Sequence, residues 1–177
     1  MIVGTVSASC STDTTGYEVD SLPPYSIYST GVKEFSGVCY NQAKTALLAV
    51  SDLGGIYEIN FDGTTRQELP YKGNNDFEAI TMNPQTGEIY LADERVNKIY
   101  KLTSANTTTL TEIVAIKISG AIANKGLEGV AYGADTLYIT NQTSPAILIK
   151  YALKTPSQRI QIVWAFGYFH CRNCCQI

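Results

Sequence analysis

Short apolar runs separated by polar turns occur along the chain, and one of them recurs three times. It reads EFSGVCYN at residues 34–41, DFEAITMN at residues 76–83 and GLEGVAYG at residues 126–133. Apolar and polar residues alternate in these runs with a period close to two, which is typical of β-strands and excludes a helical repeat. The recurrence predicts a fold built from similar units of strands.

Each recurring run is followed by three further runs of strand character. The second runs cover Ala46–Asp52, Glu88–Glu94 and Thr136–Gln142, the third cover Ile56–Ile59, Ile99–Leu102 and Leu148–Tyr151, and the fourth cover Thr64–Tyr71, Thr109–Ile118 and Gln158–Phe166. Asp62 and Gly63 lie between the third and fourth runs of the first unit, where a tight hairpin needs residues that tolerate a positive φ. Turn chemistry therefore agrees with the strand pattern.

Four short strands in a unit of about 40 to 50 residues are typical of a β-propeller blade. The chain is predicted to be all-β, with about three four-stranded blades within residues 25–166. Propellers close with about four to eight blades, so we expect a fragment of a longer ring, of six blades. Tyr25–Thr30 is predicted as one additional strand, and residues 167–177, which continue no blade pattern, as a tail outside the fold.

Composition supports the strand assignment and narrows the chemistry. The chain has 177 residues, of which 45% are hydrophobic and 16% charged, with 12 tyrosines and a formal net charge of −3. A chain without excess positive charge is not expected to bind nucleic acid. Since the chain has one histidine, sites built on several histidines and a Ser-His-Asp triad are not expected.

The N-terminal segment resembles the end of a bacterial lipoprotein signal. A short run of small and apolar residues ends at Cys10, and a polar stretch leads to Pro23 and Pro24. The basic region and the longer apolar region of a full signal are missing, so residues 1–24 are interpreted as a partial signal and a tether. A lipid on Cys10 would anchor the protein to a membrane of the bacterial cell envelope. The alternative is a frayed terminus with an incidental cysteine.

Acidic residues recur at the start of the first strand of two units. Glu78 and Glu128 occupy the same position, which a propeller places at one mouth of its central channel. Two carboxylates brought to one axis repel and favour a shared cation or proton. Calcium suits such oxygen ligands best and Mg²⁺ second, with Asp76 as a third ligand. Alternatively, each glutamate accepts backbone hydrogen bonds and fastens neighbouring blades.

Further acidic residues close the second strands of the first two units. Asp52, Asp93 and Glu94 would lie near a loop on one face, where they could widen the acidic mouth. Aspartate is common in turns for its hydrogen bonds to the backbone, and this interpretation is favoured. At the C-terminus, His170, Cys171, Cys174 and Cys175 offer zinc-type donors, but no second cysteine pair lies at the required distance. We expect no zinc site there.

The order and spacing of these motifs resemble the SdiA-regulated family, also called the YjiK/CarP family, of cell-envelope β-propellers. The resemblance covers roughly Tyr25 to Leu153, and its marks are KEFSGV at residues 33–38, DFEAI at 76–80, GLEGV at 126–130 and the segment from Asn141 into AILI at 146–149. It implies a propeller associated with calcium and the bacterial envelope. It does not imply a settled catalytic activity.

Three hypotheses for function follow. The first is a non-catalytic, calcium-associated envelope propeller with a binding or regulatory role, which presents a channel mouth to a ligand or a protein. The second is a metal-dependent hydrolase of lactonase or phosphoesterase type, in which a cation held by Glu78 and Glu128 activates water or a substrate oxygen. The third is a truncated product with no independent function.

Overall fold

The described part of the chain is made of β-strands joined by turns. The structure, a computed structural model, describes residues 29–117, 125–142 and 146–154, and the backbone of residues 160–166. Over these ranges it contains no helix, so no helix among them is long and apolar enough to cross a membrane. The predicted all-β class is confirmed.

In the part of the chain that the structure describes, twelve strands form three four-stranded antiparallel sheets, each ordered as in the chain. Blade 1 contains β1 (Phe35–Tyr40), β2 (Leu47–Ser51), β3 (Ile56–Ile59) and β4 (Thr65–Glu68). Blade 2 contains β5 (Phe77–Met82), β6 (Ile89–Asp93), β7 (Lys98–Leu102) and β8 (Thr111–Ala115). Blade 3 contains β9 (Leu127–Gly133), β10 (Thr136–Asn141), β11 (Ala146–Ala152) and β12 (Ile160–Phe166). The three predicted units are therefore confirmed.

The fourth strands are shorter than predicted in the first two blades. In blade 1 the pattern predicts a strand to Tyr71, but β4 ends at Glu68. Pro70 follows closely and has no backbone N–H for a sheet ladder. Leu69 and Tyr71 are instead buried between the blades. Their apolar character reflects interblade packing rather than strand alternation.

The predicted hairpin between β3 and β4 forms as its residues suggest. Gly63 has a φ of 82°, which is the left-handed region that glycine enters without a steric penalty. The Asp62 Oδ1 accepts a hydrogen bond from the Thr64 backbone N–H at 3.0 Å. This Asx-type bond fixes the turn.

Apolar side chains fill the two spaces between consecutive blades. The core between blades 1 and 2 is formed by Leu48, Val50, Ile56, Leu69, Tyr71, Phe77, Ile80, Ile89, Leu91 and Leu102. The core between blades 2 and 3 is formed by Ala79, Tyr90, Ala92, Ile99, Ile116, Leu127, Leu137, Ile139, Ile147, Ile149 and Tyr151. Each blade therefore buries its apolar residues against the next blade rather than alone, as a propeller requires.

The first strand of each blade lies beside the first strand of the next. Strand β1 packs against β5, and β5 packs against β9. Between β5 and β9, the Thr81 hydroxyl accepts a hydrogen bond from the Tyr132 N–H at 3.1 Å. Between β1 and β5, Gly37 makes close approach possible, because a Cβ at this position would lie 2.8 Å from the Ala79 Cα. In a propeller the innermost strands line a central channel, so we call the two ends of these three strands the channel mouths.

A short segment leads into blade 1. The Thr65 hydroxyl donates to the Thr30 carbonyl, and the Ser51 hydroxyl donates to the Lys33 carbonyl at 2.7 Å. Residues 29–34 form no strand, and residues 25–28 of the additional strand predicted at Tyr25–Thr30 lie outside the described residues. So do the predicted signal and tether at 1–24 and the tail at 167–177, and these predictions stay untested.

Candidate functional site

The same backbone hydrogen bond ties together the first two strands of every blade at one channel mouth. The N–H of Asp52 donates to Glu34, that of Glu94 to Asp76, and that of Gln142 to Gly126, over 3.1, 2.9 and 3.0 Å. Each bond joins the residue before an inner strand to the residue after the second strand. Equivalent side chains from all three blades are therefore gathered at this mouth, and most of them are acidic.

A β-bulge adds one further side chain near the start of each inner strand, and this side chain is acidic in β5 and β9. In β5, Phe77 pairs with Asp93 and Ala79 with Ala92, so Glu78 has no partner of its own on β6. The shifts in the register of β1 and β9 occur at the equivalent residues, Ser36 and Glu128. An extra residue interrupts the alternation of a strand and redirects its side chain. The bulges thus distinguish these side chains from those that fill the interblade cores.

Three carboxylates converge where blade 1 meets blade 2. Asp52, Asp76 and Glu78 each place one carboxylate oxygen within 4.8 Å of the oxygens of the other two, and all three side chains are half-buried. We call this set the carboxylate trio. Asp76 also lies 3.6 Å from the Arg95 Nε, measured from its Oδ2. Blade 1 contributes one member and blade 2 contributes two, so the trio exists only because the blades are packed together.

One oxygen of the trio lacks a hydrogen-bond partner. The Asp52 Oδ1 is buried and accepts no hydrogen bond from any group in the structure. A buried acceptor without a partner is costly, and in native proteins such an atom is usually satisfied by water or an ion. The Asp52 oxygen is therefore a group that a bound cation would satisfy.

The crowding of negative charge changes the protonation of the trio. Burial, followed by the charges of Asp52 and Glu128, raises the pKa of Glu78 from 4.5 to about 7. The pKa of Asp52 is also raised, mainly by burial and also by the charge of Asp76, against a backbone hydrogen bond that lowers it. Glu78 is thus partly protonated near neutral pH, and a cation at this mouth would relieve the repulsion.

The junction of blades 2 and 3 contains the equivalent positions but has different chemistry. Here Glu94 corresponds to Asp52, Gly126 to Asp76 and Glu128 to Glu78. The buried Glu94 accepts a hydrogen bond on Oε1 from the Gly126 N–H at 3.0 Å. Burial, and then a hydrogen bond with the Glu94 carboxyl, raises the pKa of Glu128. Two carboxyl groups, those of Glu94 and Glu128, meet at this junction, whereas three carboxylates meet at the previous one.

Only two of the three residues that the sequence predicts for a cation site lie together in the structure. Asp76 and Glu78 meet as predicted, whereas Glu128 lies at the next junction and is not a member of the trio. Asp52, for which turn chemistry was favoured, completes the trio instead. The sequence signal for Asp52 is its place at the end of the second strand, where an acidic residue could widen the acidic mouth.

Two other acidic residues have structural roles. Asp93 accepts a hydrogen bond on Oδ2 from the Asn75 side chain at 2.7 Å, and one on Oδ1 from the Val96 N–H at 3.4 Å, which is the predicted turn chemistry. Glu94 fastens blade 3 through Gly126. The cysteine proposed for lipidation, Cys10, and the cysteines of the C-terminal tail lie outside the described residues.

A cavity of about 630 Å³ lies at the opposite mouth, where the three inner strands end. Its lining includes Tyr40, Asn41, Met82, Asn83, Tyr132 and Lys154. The Lys154 Nζ contacts the Asp135 Oδ2 at 2.7 Å, which partly neutralises the charge there. The two mouths therefore differ, because one is acidic and the other offers tyrosine rings and amide groups.

Solved structures resemble the chain in fold. A chain of a nidogen–laminin complex aligns with a TM-score of 0.50 and 14% identity over 71% of this chain and 46% of that one. YCF48 from Cyanidioschyzon merolae aligns with a TM-score of 0.51 and 12% identity over 72% of this chain and 36% of that one. The β-propeller domain of Cps50 (Swd1) from Myceliophteria thermophila aligns at 0.49, with 9% identity over 80% of this chain and 42% of that one.

At such low identity, the first two likenesses concern the fold alone. The β-propeller assignment rests on the three four-stranded sheets and on how their first strands pack together. The chain spans less than half the length of each of these structures. No curated protein matches the sequence significantly. The model of the SdiA-regulated family matches residues 14–165, which is most of the chain and covers the three blades except the last residue of β12, so the chain belongs to the SdiA-regulated family.

Proposed function

We propose that this protein is a calcium-binding β-propeller of the bacterial cell envelope with a non-catalytic, binding or regulatory role. The observation that carries the proposal is the carboxylate trio of Asp52, Asp76 and Glu78, together with the unpartnered buried oxygen of Asp52. Three half-buried carboxylates repel one another unless a proton or a cation neutralises them. A divalent cation would do so and would also satisfy the Asp52 oxygen.

The donor set fits calcium better than other common metals. Every candidate ligand atom is a carboxylate oxygen, and calcium takes about 6–8 oxygen ligands in a flexible arrangement that water molecules can complete. Magnesium needs a near-ideal octahedron and keeps several of its own waters, so it ranks second. The trio contains neither a thiolate nor an imidazole, which zinc usually prefers. Asp52, Asp76 and Glu78 would therefore hold the ion.

Calcium titration with variants of the trio tests this proposal. Calcium that binds only the folded protein should stabilise it by about 2.7 kcal/mol at a hundredfold excess over the dissociation constant, seen as a rise in melting temperature. Asp52→Asn and Glu78→Gln should abolish the rise. Asp135→Asn and Glu112→Gln, which change the same residue types away from this mouth, should retain it. Unchanged melting in calcium, together with no heat of binding, would contradict the proposal.

Glu128 requires its own variant, because the sequence assigned it to the ion whereas the structure pairs it with Glu94. Glu128→Gln should keep the calcium response, since an amide can still hydrogen-bond to the Glu94 carboxylate. If Glu128 contributes a ligand, the response should weaken. In either case the melting temperature of the double variant Glu78→Gln, Glu128→Gln should not rise with added calcium.

One observation favours a second candidate function, a metal-dependent hydrolase of lactonase or phosphoesterase type. Glu78 is itself a member of the carboxylate trio, and its pKa of about 7 lies in the range of a general acid or base. Calcium-dependent hydrolysis of model lactones or phosphoesters, lost in Glu78→Gln, would support this function. Calcium binding without hydrolysis of these substrates would contradict the hydrolase function and would agree with the non-catalytic binding role.

The envelope location rests on Cys10 and on what the family resemblance implies. If Cys10 is lipidated, the native chain should incorporate labelled fatty acid in bacteria and the Cys10→Ser variant should not. Equal labelling of both proteins would refute the anchor. The ligand or protein partner of an anchored propeller would bind at a channel mouth, and the tyrosine-lined cavity offers one such surface.

A further inference from the structure

The cavity at the opposite mouth continues along the junction of blades 2 and 3. Beside the cavity of about 630 Å³ lies another of about 400 Å³, and both are lined by Asn83, Thr86, Asp135 and Lys154. These residues belong to blades 2 and 3, whose packing against each other is complete within the described residues. We call the two cavities together the junction groove. Each has the size of a small-molecule site, which is about 300–1,000 Å³.

Asn83 offers the groove a hydrogen-bond donor that the fold does not use. The residue is only 5% exposed, and its Oδ1 accepts hydrogen bonds from the backbone N–H groups of Gln85 at 3.0 Å and Thr86 at 3.4 Å. These two bonds fix which end of the amide faces the turn, so the Nδ2 group is left to donate, and no described residue accepts from it. Buried donors are normally satisfied, and a ligand in the groove would supply the missing acceptor.

Thr81 offers the groove a second donor. It is 9% exposed and lines the larger cavity, and its Oγ1 accepts a hydrogen bond from the Tyr132 N–H at 3.1 Å. A hydroxyl that accepts one hydrogen bond can still donate its own proton. No described residue accepts that proton, so it is available to a ligand.

The ring of Tyr132 is held in a fixed position in the wall of the larger cavity. Its hydroxyl donates to the Asp135 Oδ1 at 3.0 Å, and its ring stacks on that of Tyr90, with centroids 6.2 Å apart and planes 7° from parallel. The Tyr90 hydroxyl donates in turn to the Glu88 Oε2 at 3.1 Å. The part of the Tyr132 ring that lines the cavity is therefore a flat apolar surface that needs no ordering when a ligand binds.

Ion pairs balance most of the charge in the groove. Each carboxylate of the lining lies 2.7 Å from a lysine Nζ, in the pairs Asp135–Lys154, Glu88–Lys101 and Glu112–Lys98. Exposed Lys44 is the one lysine of the lining without a carboxylate partner among the described residues. The groove thus lacks the negative charge of the acidic mouth and does not suit a metal ion. Paired carboxylates keep free lone pairs and still accept hydrogen bonds from uncharged groups.

We propose that the junction groove binds a neutral saccharide. The hydroxyl groups of a saccharide both donate and accept hydrogen bonds, and the C–H groups of its ring form a flat apolar face. The groove matches both properties, since Asn83 and Thr81 donate, the Asp135 carboxylate accepts and the Tyr132 ring offers a surface for the apolar face. An anion would find one unpaired lysine among carboxylates. The inference names a ligand class for the binding role proposed above, and it depends on that role but not on calcium.

Binding of the full chain to an array of neutral mono- to tetrasaccharides, followed by calorimetric titration with the saccharides retained, tests the proposal. Asn83→Asp keeps the oxygen that the turn needs but replaces the Nδ2 donor with an acceptor, and Tyr132→Leu removes the ring. Each variant should raise the dissociation constant by about tenfold or more.

Two control variants make the same changes outside the lining of the groove. They are Asn60→Asp, where the Asn60 Oδ1 accepts from the Arg66 Nε at 3.0 Å, and Tyr138→Leu at an exposed tyrosine of β10. Both should bind like the unchanged protein. Melting temperatures of all four variants should show that they are folded under the conditions of the titration.

Separate outcomes distinguish this inference from the calcium proposal. Retention of no neutral saccharide, retention that both groove variants leave unchanged, or retention of charged saccharides alone would each overturn the saccharide site. Binding should persist in a calcium chelator and in Asp52→Asn, because the groove and the carboxylate trio lie at opposite mouths. A calcium response without saccharide binding would refute the saccharide site alone, and saccharide binding without a calcium response would refute the calcium site alone.

Discussion

Replacing Glu78 with glutamine should stabilise the calcium-free protein at pH 8. The carboxyl group has a pKa of about 7 in the folded protein, against 4.5 ordinarily, because it is partly buried beside Asp52 and Glu128. A raised pKa means that the folded state binds the proton more tightly than the unfolded state does. The Glu78 carboxyl therefore does not lower the free energy of unfolding below pH 4.5, and it lowers that free energy increasingly as the pH rises from 4.5 to about 7.

The size of the penalty follows from these two values. The pKa of Glu78 rises from 4.5 in the unfolded chain to about 7 in the folded protein, and each unit of this difference corresponds to about 1.36 kcal/mol. The destabilisation of the folded state by the ionised carboxylate therefore has an upper limit of about 3 kcal/mol. Glu78 is only half-buried, so water screens part of the repulsion, and we expect about 1–2 kcal/mol. Glutamine keeps the size of the side chain but carries no charge, so it should recover this free energy above pH 7; its NH2 group donates hydrogen bonds where the carboxylate oxygen accepts them.

Urea unfolding in a calcium chelator, followed at pH 5 and pH 8 for both proteins, measures the difference. The gain from Glu78→Gln should be large at pH 8 and small at pH 5. Glu88→Gln is the matched control of opposite sign, because hydrogen bonding to Lys101 lowers the pKa of Glu88, and this variant should lose stability at pH 8. If Glu78→Gln destabilises the protein at pH 8, the carboxylate fastens the blades and the reasoning from repulsion is wrong.

Three further predictions concern the fold. Gly37→Ala should lower the free energy of unfolding by about 1–3 kcal/mol, because the new methyl group would clash with the Ala79 backbone. An unchanged midpoint of denaturant unfolding would show that β1 can shift freely. Phe77→Ala should lower the free energy of unfolding by about 3–5 kcal/mol, because Phe77 is buried between the blades. Phe61→Ala, at an exposed residue, should lower it by no more than about 1 kcal/mol, and equal losses for the two variants would contradict the interblade core. A soluble protein that starts at Ser11 should give a strand-rich far-ultraviolet circular dichroism spectrum, and a helix-dominated spectrum would refute the blades.

The strand pattern of the sequence predicts most of the fold because each blade is made of local antiparallel pairs. Its fourth strands are predicted too long, since alternation cannot distinguish a residue that faces a sheet neighbour from one, such as Leu69, that packs between blades. Turn chemistry was more reliable. Gly63 and Asp62 form the predicted turn because their conformations depend only on adjacent residues.

The candidate site is predicted less completely because its members come from different blades. The repeat alignment identifies Glu78 and Glu128 as equivalent, but equivalence places them at successive junctions rather than together. Asp52 joins Glu78 because it ends the second strand of the preceding blade, and that proximity depends on how the blades pack. The bulges that redirect these glutamates are established by the strand register.

The absence of a side chain at residue 126 limits how the repeat can diverge. An aspartate there would reproduce the set of three acids at the second junction, yet its Cβ would lie 2.5 Å from the Glu94 carbonyl oxygen and would also collide with the Asn97 side chain. A duplicated blade can thus lose an acidic ligand by one mutation, but it cannot regain the ligand without moving the backbone of its neighbour. A third acid at this junction therefore requires both the Glu94 backbone and the Asn97 side chain to move.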